Sequence, residues 1–99
     1  MEYTLLATPE FTDWLDRLRD SRARARIQAR IDRFALGNPG DIKFVAERLW
    51  ELRVDYGPGY RVYFVRRGRQ VIVLLAGGDK RSQGRDIAKS LELARNYGS

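Results

Sequence analysis

The sequence predicts an α+β fold in which helices pack on one face of an antiparallel sheet. Two stretches before residue 40 have apolar residues at helical spacing, and three runs between residues 50 and 75 have the character of strands. The segments that join these runs are short and contain glycine, which favours tight turns and an antiparallel meander. Amphipathic helices and a sheet bury each other's apolar faces. The predicted order of elements is β-α-α-β-β-β-α, in one domain spanning residues 1–99.

The chain is predicted to begin with a short strand over residues 2–7 and to continue into a helix. Thr8 and Pro9 start this helix, because threonine caps a helix N-terminus and proline is tolerated at the first helical position. The buried face of the helix is a stripe at helical spacing, formed by Phe11, Trp14, Leu15 and Leu18.

A second helix follows Asp20-Ser21 and forms a helical hairpin with the first. Its apolar stripe contains Ile27, Ile31 and Phe34. The segment Gly37-Asn38-Pro39-Gly40 ends the helix, because glycine and proline terminate helices and favour turns.

The three strands of the meander are predicted from alternation and from the turns between them. Apolar and polar residues alternate over residues 50–54 and again over residues 60–64, on either side of a Gly-Pro-Gly turn. Residues 71–75 are apolar at every position, which is typical of a central strand buried on both faces. Gly77-Gly78 is predicted to end this strand. The last helix then starts at Asp79 or Ser82 and buries the stripe of Ile87, Leu91 and Ala94.

The composition excludes several classes of site. The chain contains no cysteine and no histidine, which excludes disulfides, thiolate or histidine catalysis and the usual zinc and iron–sulfur sites. We expect no metal ion and no cofactor. The longest apolar run, residues 71–76, is far shorter than the roughly 20 residues of a membrane helix. We therefore expect a cytoplasmic protein with no membrane contact.

The formal charge of +6 indicates an anionic partner, with nucleic acid as the first candidate. The excess lies in residues 61–99, because acidic and basic side chains balance over residues 1–60. Most of the basic residues are arginine, whose planar guanidinium forms paired hydrogen bonds with phosphate.

Strand alternation predicts a candidate site on the sheet face opposite the helices. The polar residues of that face are Glu51, Arg53, Arg61 and Tyr63, and the loop after the last strand adds Lys80, Arg81 and Gln83 at its edge. Guanidinium groups for phosphate and an aromatic ring for a base would make it an RNA-binding surface. A second interpretation stays open, because amphipathic sheets present arginine and tyrosine to solvent without any function.

The second helix carries a row of arginines at intervals of four, four and three residues: Arg22, Arg26, Arg30 and Arg33. The row is either a solvated surface or a docking stripe for an acidic partner helix or a ribosomal RNA backbone.

Several segments resemble those of a known family in both order and spacing. These segments are Gly37-Asn38-Pro39-Gly40-Asp41-Ile42-Lys43, Trp50-Glu51-Leu52-Arg53, Gly57-Pro58-Gly59-Tyr60-Arg61-Val62-Tyr63-Phe64 and Leu74-Leu75-Ala76-Gly77-Gly78-Asp79-Lys80, followed by Gln83 and Asp86-Ile87. Over essentially the full chain the sequence resembles the RelE/ParE superfamily of type II toxin–antitoxin toxins, and within it the HigB-like branch of addiction-module killer proteins.

The resemblance implies the small microbial RNase-like fold of RelE toxins and cleavage of mRNA in the ribosomal A site. It also implies a cognate antitoxin that covers the toxin, commonly a helix-turn-helix protein in the HigB-like branch. One departure keeps an alternative open: some RelE toxins have a tyrosine near the 2′-hydroxyl in the last helical segment, where this chain has Ile87. The alternatives are a ParE-like toxin that inhibits DNA gyrase and an inactive binding domain of the same fold.

The resemblance also points to individual residues. Arg61 matches the arginine of the family's Gly-Tyr-Arg segment, Arg53 matches a basic position before the hairpin turn, and Lys80 or Arg81 matches the basic residue that closes the last strand. Without histidine, RNA cleavage by transesterification would use the arginines to stabilise the phosphorane. Lys80 is the first candidate for proton transfer and Tyr63 the second.

The predicted substrate-binding residues are Tyr60, Gln83 and Arg85. A site of this kind would depend on the ribosome to orient the 2′-oxygen for in-line attack. The ribosome and mRNA are therefore expected partners, together with the antitoxin.

Overall fold

A computed structural model describes residues 1–97 as five strands and three helices. In chain order they are β1 Thr4–Ala7, α1 Pro9–Arg17, α2 Ser21–Ala35, β2 Ile42–Ala46, β3 Leu49–Val54, β4 Tyr60–Arg67, β5 Val71–Asp79 and α3 Gln83–Tyr97. Among these residues, no helix is long and apolar enough to cross a membrane.

The strands form one mixed sheet in the order β1-β5-β4-β3-β2. β1 runs parallel to β5, and all other neighbouring strands are antiparallel. The α+β class and the antiparallel meander are thus confirmed. The predicted order of elements omitted β2, which pairs with β3 from Ile42 opposite Leu52. β2 was not predicted because it is short and its pairing is interrupted by a bulge between Phe44 and Ala46.

The helices cover both faces of the sheet, so the prediction that they pack on one face was wrong. α1 and α2 bury one face, in a core that includes Phe11, Ile27 and Phe34. α3 packs on the opposite face against five buried residues, namely Leu49, Tyr63, Val65, Val73 and Leu75. The physical reason lies in β5, which is apolar on both faces and needs a helix on each side to keep water away.

Thr8 links the start of α1 to the sheet. Its hydroxyl oxygen accepts a hydrogen bond from the Phe11 N–H at 3.1 Å and donates to the Leu75 carbonyl at 2.6 Å. Thr8 therefore caps the helix as predicted, and it also fixes where the chain leaves the edge of β5.

Gly77 and Gly78 lie inside β5, although the sequence predicted that they end it. A Cβ at Gly77 would lie 2.2 Å from the Trp14 ring, and one at Gly78 would lie 1.7 Å from the Asp86 carboxylate. The two glycines thus let α1 and α3 press against the strand backbone from opposite faces.

Candidate functional site

The structure brings Arg53, Arg61, Lys80 and Tyr60 to one depression of about 290 Å³. Arg53 of β3 lies directly opposite Arg61 of β4, and the register that pairs Tyr60 with Asp79 sets Lys80 just beyond the end of β5. We call this group of three cations, Arg53, Arg61 and Lys80, the cation cluster. It lies at the end of the β3–β4 hairpin.

Arg53 is held from the side by Asp41. Its Nε and Nη2 atoms donate to Asp41 Oδ1 at 3.2 and 2.8 Å, and the side chains stay 38% and 52% exposed. The hydrogen bond that Arg53 donates to Asp41, and then the negative charge of Asp41, raise the pKa of Arg53. Because this carboxylate is solvated, a phosphate can compete with it for the guanidinium.

Arg61 is held from below by Glu51. The Arg61 Nε lies 3.2 Å from Glu51 Oε2, and Glu51 is only 3% exposed. One guanidinium nitrogen also donates to the Gly59 carbonyl at 3.4 Å. Arg61 is therefore fixed in position while it still lines the depression.

Lys80 and Arg81 project from a turn that Asp79 organises. The Asp79 carboxylate accepts hydrogen bonds from the backbone N–H of Arg81 at 2.9 Å and of Ser82 at 3.2 Å. The Ser82 hydroxyl donates to the Asp86 carboxylate at 2.5 Å, which ties the turn to the first turn of α3. Both basic side chains are exposed at the surface of this ordered loop.

Arg81 and Arg85 lie on the other side of Tyr60, in a larger cleft of about 600 Å³. Trp14 of α1 and the Gly77-Gly78 backbone form part of the same cleft. Gln83 is half-buried at the start of α3, apart from both depressions. The predicted residues thus divide between two neighbouring depressions that share Tyr60.

Tyr63 is buried, and the prediction that it lies on an exposed face was wrong. Its side chain has no exposed surface, because α3 covers that part of the sheet. Its hydroxyl has no hydrogen-bond partner among the described residues. Burial first, and then the charges of Glu51 and Asp86, raise the pKa of Tyr63 well above its usual value.

Tyr60 is 9% exposed, and its ring meets Trp14 edge to face at 6.2 Å between centroids. Burial raises the pKa of the Tyr60 phenol, with smaller contributions from Asp20 and Asp79. Tyr60 therefore keeps its proton and can act as a neutral hydrogen-bonding group between the two depressions.

The arginine row of α2 divides into outward and inward members. Arg22, Arg26 and Arg33 are exposed, and Arg26 lies 4.6 Å from the centre of the Tyr56 ring. Arg30 instead turns inward, where its guanidinium donates to the carbonyls of Arg53 at 2.6 Å, Pro39 at 3.1 Å and Asp41 at 3.4 Å. Burial is the main cause that lowers its pKa. Arg30 therefore differs from the other three arginines of the predicted row, which are exposed.

Sequence reasoning missed the acidic residues that position the cations. Asp41 holds Arg53, Asp79 orders the turn of Lys80, and Asp86 anchors that turn to α3. Gly77 and Gly78 could have indicated the close contact with Asp86, because glycines within a strand often mark the close approach of another group. The separation of Asp41 and Arg53 along the chain did not indicate that the two side chains would be in contact.

The cation cluster can bind a phosphate and neutralise charge that develops on it. Of the carboxylates nearby, Glu51 is buried and paired, Asp41 is hydrogen-bonded to Arg53, and Asp55 is exposed in the same depression. No group of three or more acidic side chains among residues 1–97 is arranged to hold a metal ion.

Comparison with known proteins identifies relatives over most of the chain. The family described as "Phage derived protein Gp49-like (DUF891)" matches residues 13–97. An uncharacterized protein of Haemophilus influenzae is 44% identical over 98 residues, which cover 99% of this chain and 99% of that protein.

Proposed function

The chain belongs to the phage-derived Gp49-like family, a toxin-like family of the RelE/HigB type, and from this premise we propose that it is a ribosome-dependent mRNA endonuclease. It would act in the cytoplasm as the toxin of a type II toxin–antitoxin pair. An antitoxin, a helix-turn-helix protein if the chain belongs to the HigB-like branch, would neutralise it. The observation that carries the proposal is the cation cluster.

The cation cluster supports binding of the scissile phosphate. Two guanidinium groups and one ammonium group line a single depression of about 290 Å³. Arg53 and Arg61 lie directly opposite each other on neighbouring strands, so both forks can reach one phosphate. Guanidinium groups stay protonated at any physiological pH, so they stabilise the extra negative charge of a phosphorane.

The arrangement supports transesterification with a defined division of roles. The RNA 2′-oxygen would attack the neighbouring phosphorus, and the bond from phosphorus to the 5′-oxygen would break. Arg53 and Arg61 would stabilise the pentacovalent phosphate, and the Lys80 ammonium would give a proton to the leaving 5′-oxygen. The products would be a 2′,3′-cyclic phosphate and a free 5′-hydroxyl.

The 2′-proton would pass to a carboxylate at the same depression, where Asp55 is exposed. Tyr63 is buried, and Glu51 is occupied by Arg61. Because a carboxylate is a weak base, much of the rate enhancement has to come from orientation of the 2′-hydroxyl from outside the chain, and fixed in-line geometry is worth about 7 kcal/mol or more. This supports dependence on the ribosome, which holds mRNA in a defined path.

The second cleft supports contact with RNA beyond the scissile phosphate. Arg81 and Arg85 line it, and Tyr60 forms part of both depressions. We assign Arg81, Arg85 and Tyr60 to binding the nucleotides that flank the cut, with Gln83 at the margin of the site.

The test is inducible expression in a bacterium, followed by primer extension on translated mRNA. We expect discrete cuts within codons for the wild type, and at least about a hundredfold fewer cuts for Arg61→Gln or Lys80→Met, because each removes charge stabilisation of the transition state. Arg95→Gln, exposed on α3, is the matched control and should cut like the wild type. Growth arrest with intact mRNA and trapped DNA breaks would overturn the proposal in favour of gyrase inhibition.

A further inference from the structure

The tip of the β3–β4 hairpin presents an aromatic ring that an arginine covers. The guanidinium carbon of Arg26 lies 4.6 Å from the centre of the Tyr56 ring. The turn that carries Tyr56 is ordered, because its N–H donates to the Val54 carbonyl at 2.9 Å and its carbonyl accepts from the Gly59 N–H at 3.1 Å. Arg26 is exposed, so the outer face of its planar guanidinium is accessible from solvent. We call Arg26 and Tyr56 the stacking pair.

The stacking pair lies beside the cation cluster. Asp55 and Tyr56 are consecutive, but Asp55 lines the depression of the cation cluster, whereas Tyr56 packs toward α2. Arg26 lies about one helical turn before Arg30, whose guanidinium donates to the Arg53 carbonyl at 2.6 Å. Only the hairpin turn therefore separates the stacking pair from the cation cluster. A strand of RNA held at Arg53 can continue over this turn to α2.

A shallow depression of about 430 Å³ extends from the stacking pair along α2. It is lined by Arg22, Ala25, Arg26 and Ala29. None of these residues is acidic, and neither arginine forms an ion pair with any residue of the described range 1–97. Because the alanine side chains between them are short, both guanidinium groups are accessible to a ligand that lies along the helix. Such a surface attracts phosphate.

The stacking pair favours a nucleotide of single-stranded RNA over an acidic protein segment. An unpaired base stacks on a guanidinium plane, and the Tyr56 ring beneath Arg26 holds that plane in a defined orientation. Arg22 lies on the same helix face, where its guanidinium can pair with a neighbouring phosphate. An acidic helix would pair with the two charges but would leave the guanidinium plane unused.

We propose that Arg26 and Tyr56 form a base-stacking subsite for mRNA. It would hold an unpaired nucleobase next to the nucleotide whose phosphate lies in the cation cluster, and Arg22 would bind the phosphate that follows. The inference rests on the proposed function, since it takes mRNA as the substrate. All four bases have a π face, so the subsite contributes affinity and position and does not select a sequence. The mRNA would run from the cleft of Arg81 and Arg85, across the cation cluster, to α2.

The first test measures stacking without cleavage. The probe is a short single-stranded RNA that contains the fluorescent base 2-aminopurine, whose emission is quenched when it stacks. Its riboses are 2′-O-methylated, so the 2′-oxygen has no proton to lose and the probe cannot be cut. We expect the wild-type chain to bind the probe and to quench its fluorescence. No binding, or binding without quenching, would overturn the inference.

Arg26→Lys is the decisive variant, because lysine keeps the charge but has no plane on which a base can stack. It should raise the Kd of the probe by about five- to tenfold and reduce the quenching. Arg95→Lys, exposed on α3, is the matched control and should bind and quench like the wild type. Equal Kd values and equal quenching for the two variants would contradict the assignment of Arg26.

Two variants of Tyr56 test the ring beneath the arginine. Tyr56→Leu keeps apolar bulk against the core but removes the ring, and it should weaken binding of the probe as Arg26→Lys does. Tyr56→Phe keeps the ring and should bind like the wild type. An equal loss in both variants would mean that the hydroxyl acts and the ring does not, which would overturn the inference. Arg26→Lys changes only an exposed side chain, so it keeps the test valid if Tyr56→Leu does not fold.

The two proposals fail separately. If translated mRNA stays intact but Arg26→Lys binds the probe more weakly, the proposed function fails and the stacking subsite for single-stranded RNA stands. If mRNA is cut and Arg26→Lys binds the probe as tightly as the wild type, only the subsite fails. If Arg26→Lys cuts less on ribosomes but binds the free probe unchanged, Arg26 contacts ribosomal RNA instead, and the inference is overturned.

Discussion

The Glu51 carboxylate lies 3.2 Å from the Arg61 guanidinium and joins β3 to β4 beneath the cation cluster. In the strand register Glu51 is opposite Tyr63, so the carboxylate reaches Arg61 diagonally. The pair is 3% and 14% exposed, which places Glu51 inside the protein and Arg61 at its rim. Glu51 thus positions Arg61 and does not itself line the depression.

Glu51→Gln should therefore destabilise the protein and impair the site together. Removing one partner of a buried ion pair leaves the other charge uncompensated, which costs about 3 kcal/mol. Urea denaturation should show this loss, and mRNA cleavage should fall even under conditions where the variant is folded. Glu92→Gln, exposed on α3, is the control and should change neither. Equal unfolding midpoints for the two variants would contradict the assigned role of Glu51.

Asp79 should act through the turn that carries Lys80 and Arg81. Asp79→Ala removes the acceptor of two backbone hydrogen bonds, at 2.9 and 3.2 Å, and should lower the rate of cleavage about tenfold by loosening the turn. Asp79→Asn keeps a side-chain oxygen in the same place and should retain most of the activity. Single-turnover cleavage on programmed ribosomes separates this loss from weaker binding. If both variants lose cleavage activity to the same extent, the charge of Asp79 matters and the geometry of the turn does not.

Arg30 and Arg33 should respond differently to the same conservative change. Arg30 binds three backbone carbonyls that join α2 to the segment around Asp41, and a lysine cannot reproduce this fork. Arg30→Lys should cost about 2 kcal/mol of folding stability, whereas Arg33→Lys on the exposed face should cost less than about 0.5 kcal/mol. Thermal unfolding measures both. A similar loss for both variants would mean that the Arg30 contacts contribute little.

Much of the fold could be predicted because each strand and helix carries its own local pattern. Leu52, Val54, Val62 and Phe64 alternate along the hairpin, and the structure buries them on the face of α1 and α2. Alternation also placed Arg53 and Arg61 together on the other face, where they line one depression. These features follow from local periodicity, so they can be predicted from a single sequence.

The remaining features depend on contacts between distant segments, which periodicity does not encode. Nothing near Tyr63 indicated that α3 would cover it, because a helix stripe does not specify which sheet face it buries. The inward turn of Arg30 was equally hidden, since its acceptors lie 9 to 23 residues along the chain. The position of the cations could be predicted, but the groups that hold them could not.

Gly77 should tolerate no side chain. In Gly77→Ala the new Cβ would lie 2.2 Å from the Trp14 ring, so either α1 or β5 has to shift. We expect a loss of about 2 to 3 kcal/mol, as for overpacked cores. Gly84→Ala is the matched control in α3, where a Cβ meets nothing within 4 Å, and it should be neutral or slightly stabilising. If Gly77→Ala folds as stably as the wild type, Trp14 does not pack on the strand as the structure has it.

Tyr63→Phe should separate a structural from a catalytic role for this tyrosine. The buried hydroxyl has no partner among the described residues, so its removal should be neutral or should stabilise the protein by about 1 kcal/mol. Cleavage of mRNA should stay within about twofold of the wild type, because the side chain has no exposed surface with which to reach substrate. A loss of cleavage above about a hundredfold in a folded variant would restore Tyr63 as a proton-transfer group.

The same variant should change how stability depends on alkaline pH. Burial raises the pKa of Tyr63 in the folded state, so the folded chain keeps the proton while the unfolded chain loses it above about pH 10. The favourable contribution of this phenol is thus complete below about pH 10 and is lost as the pH rises, by about 1.4 kcal/mol per pH unit. Denaturation between about pH 9 and 11 should show a shallower decline for Tyr63→Phe than for the wild type. Parallel curves for Tyr63→Phe and the wild type would mean that water reaches the Tyr63 hydroxyl beneath α3.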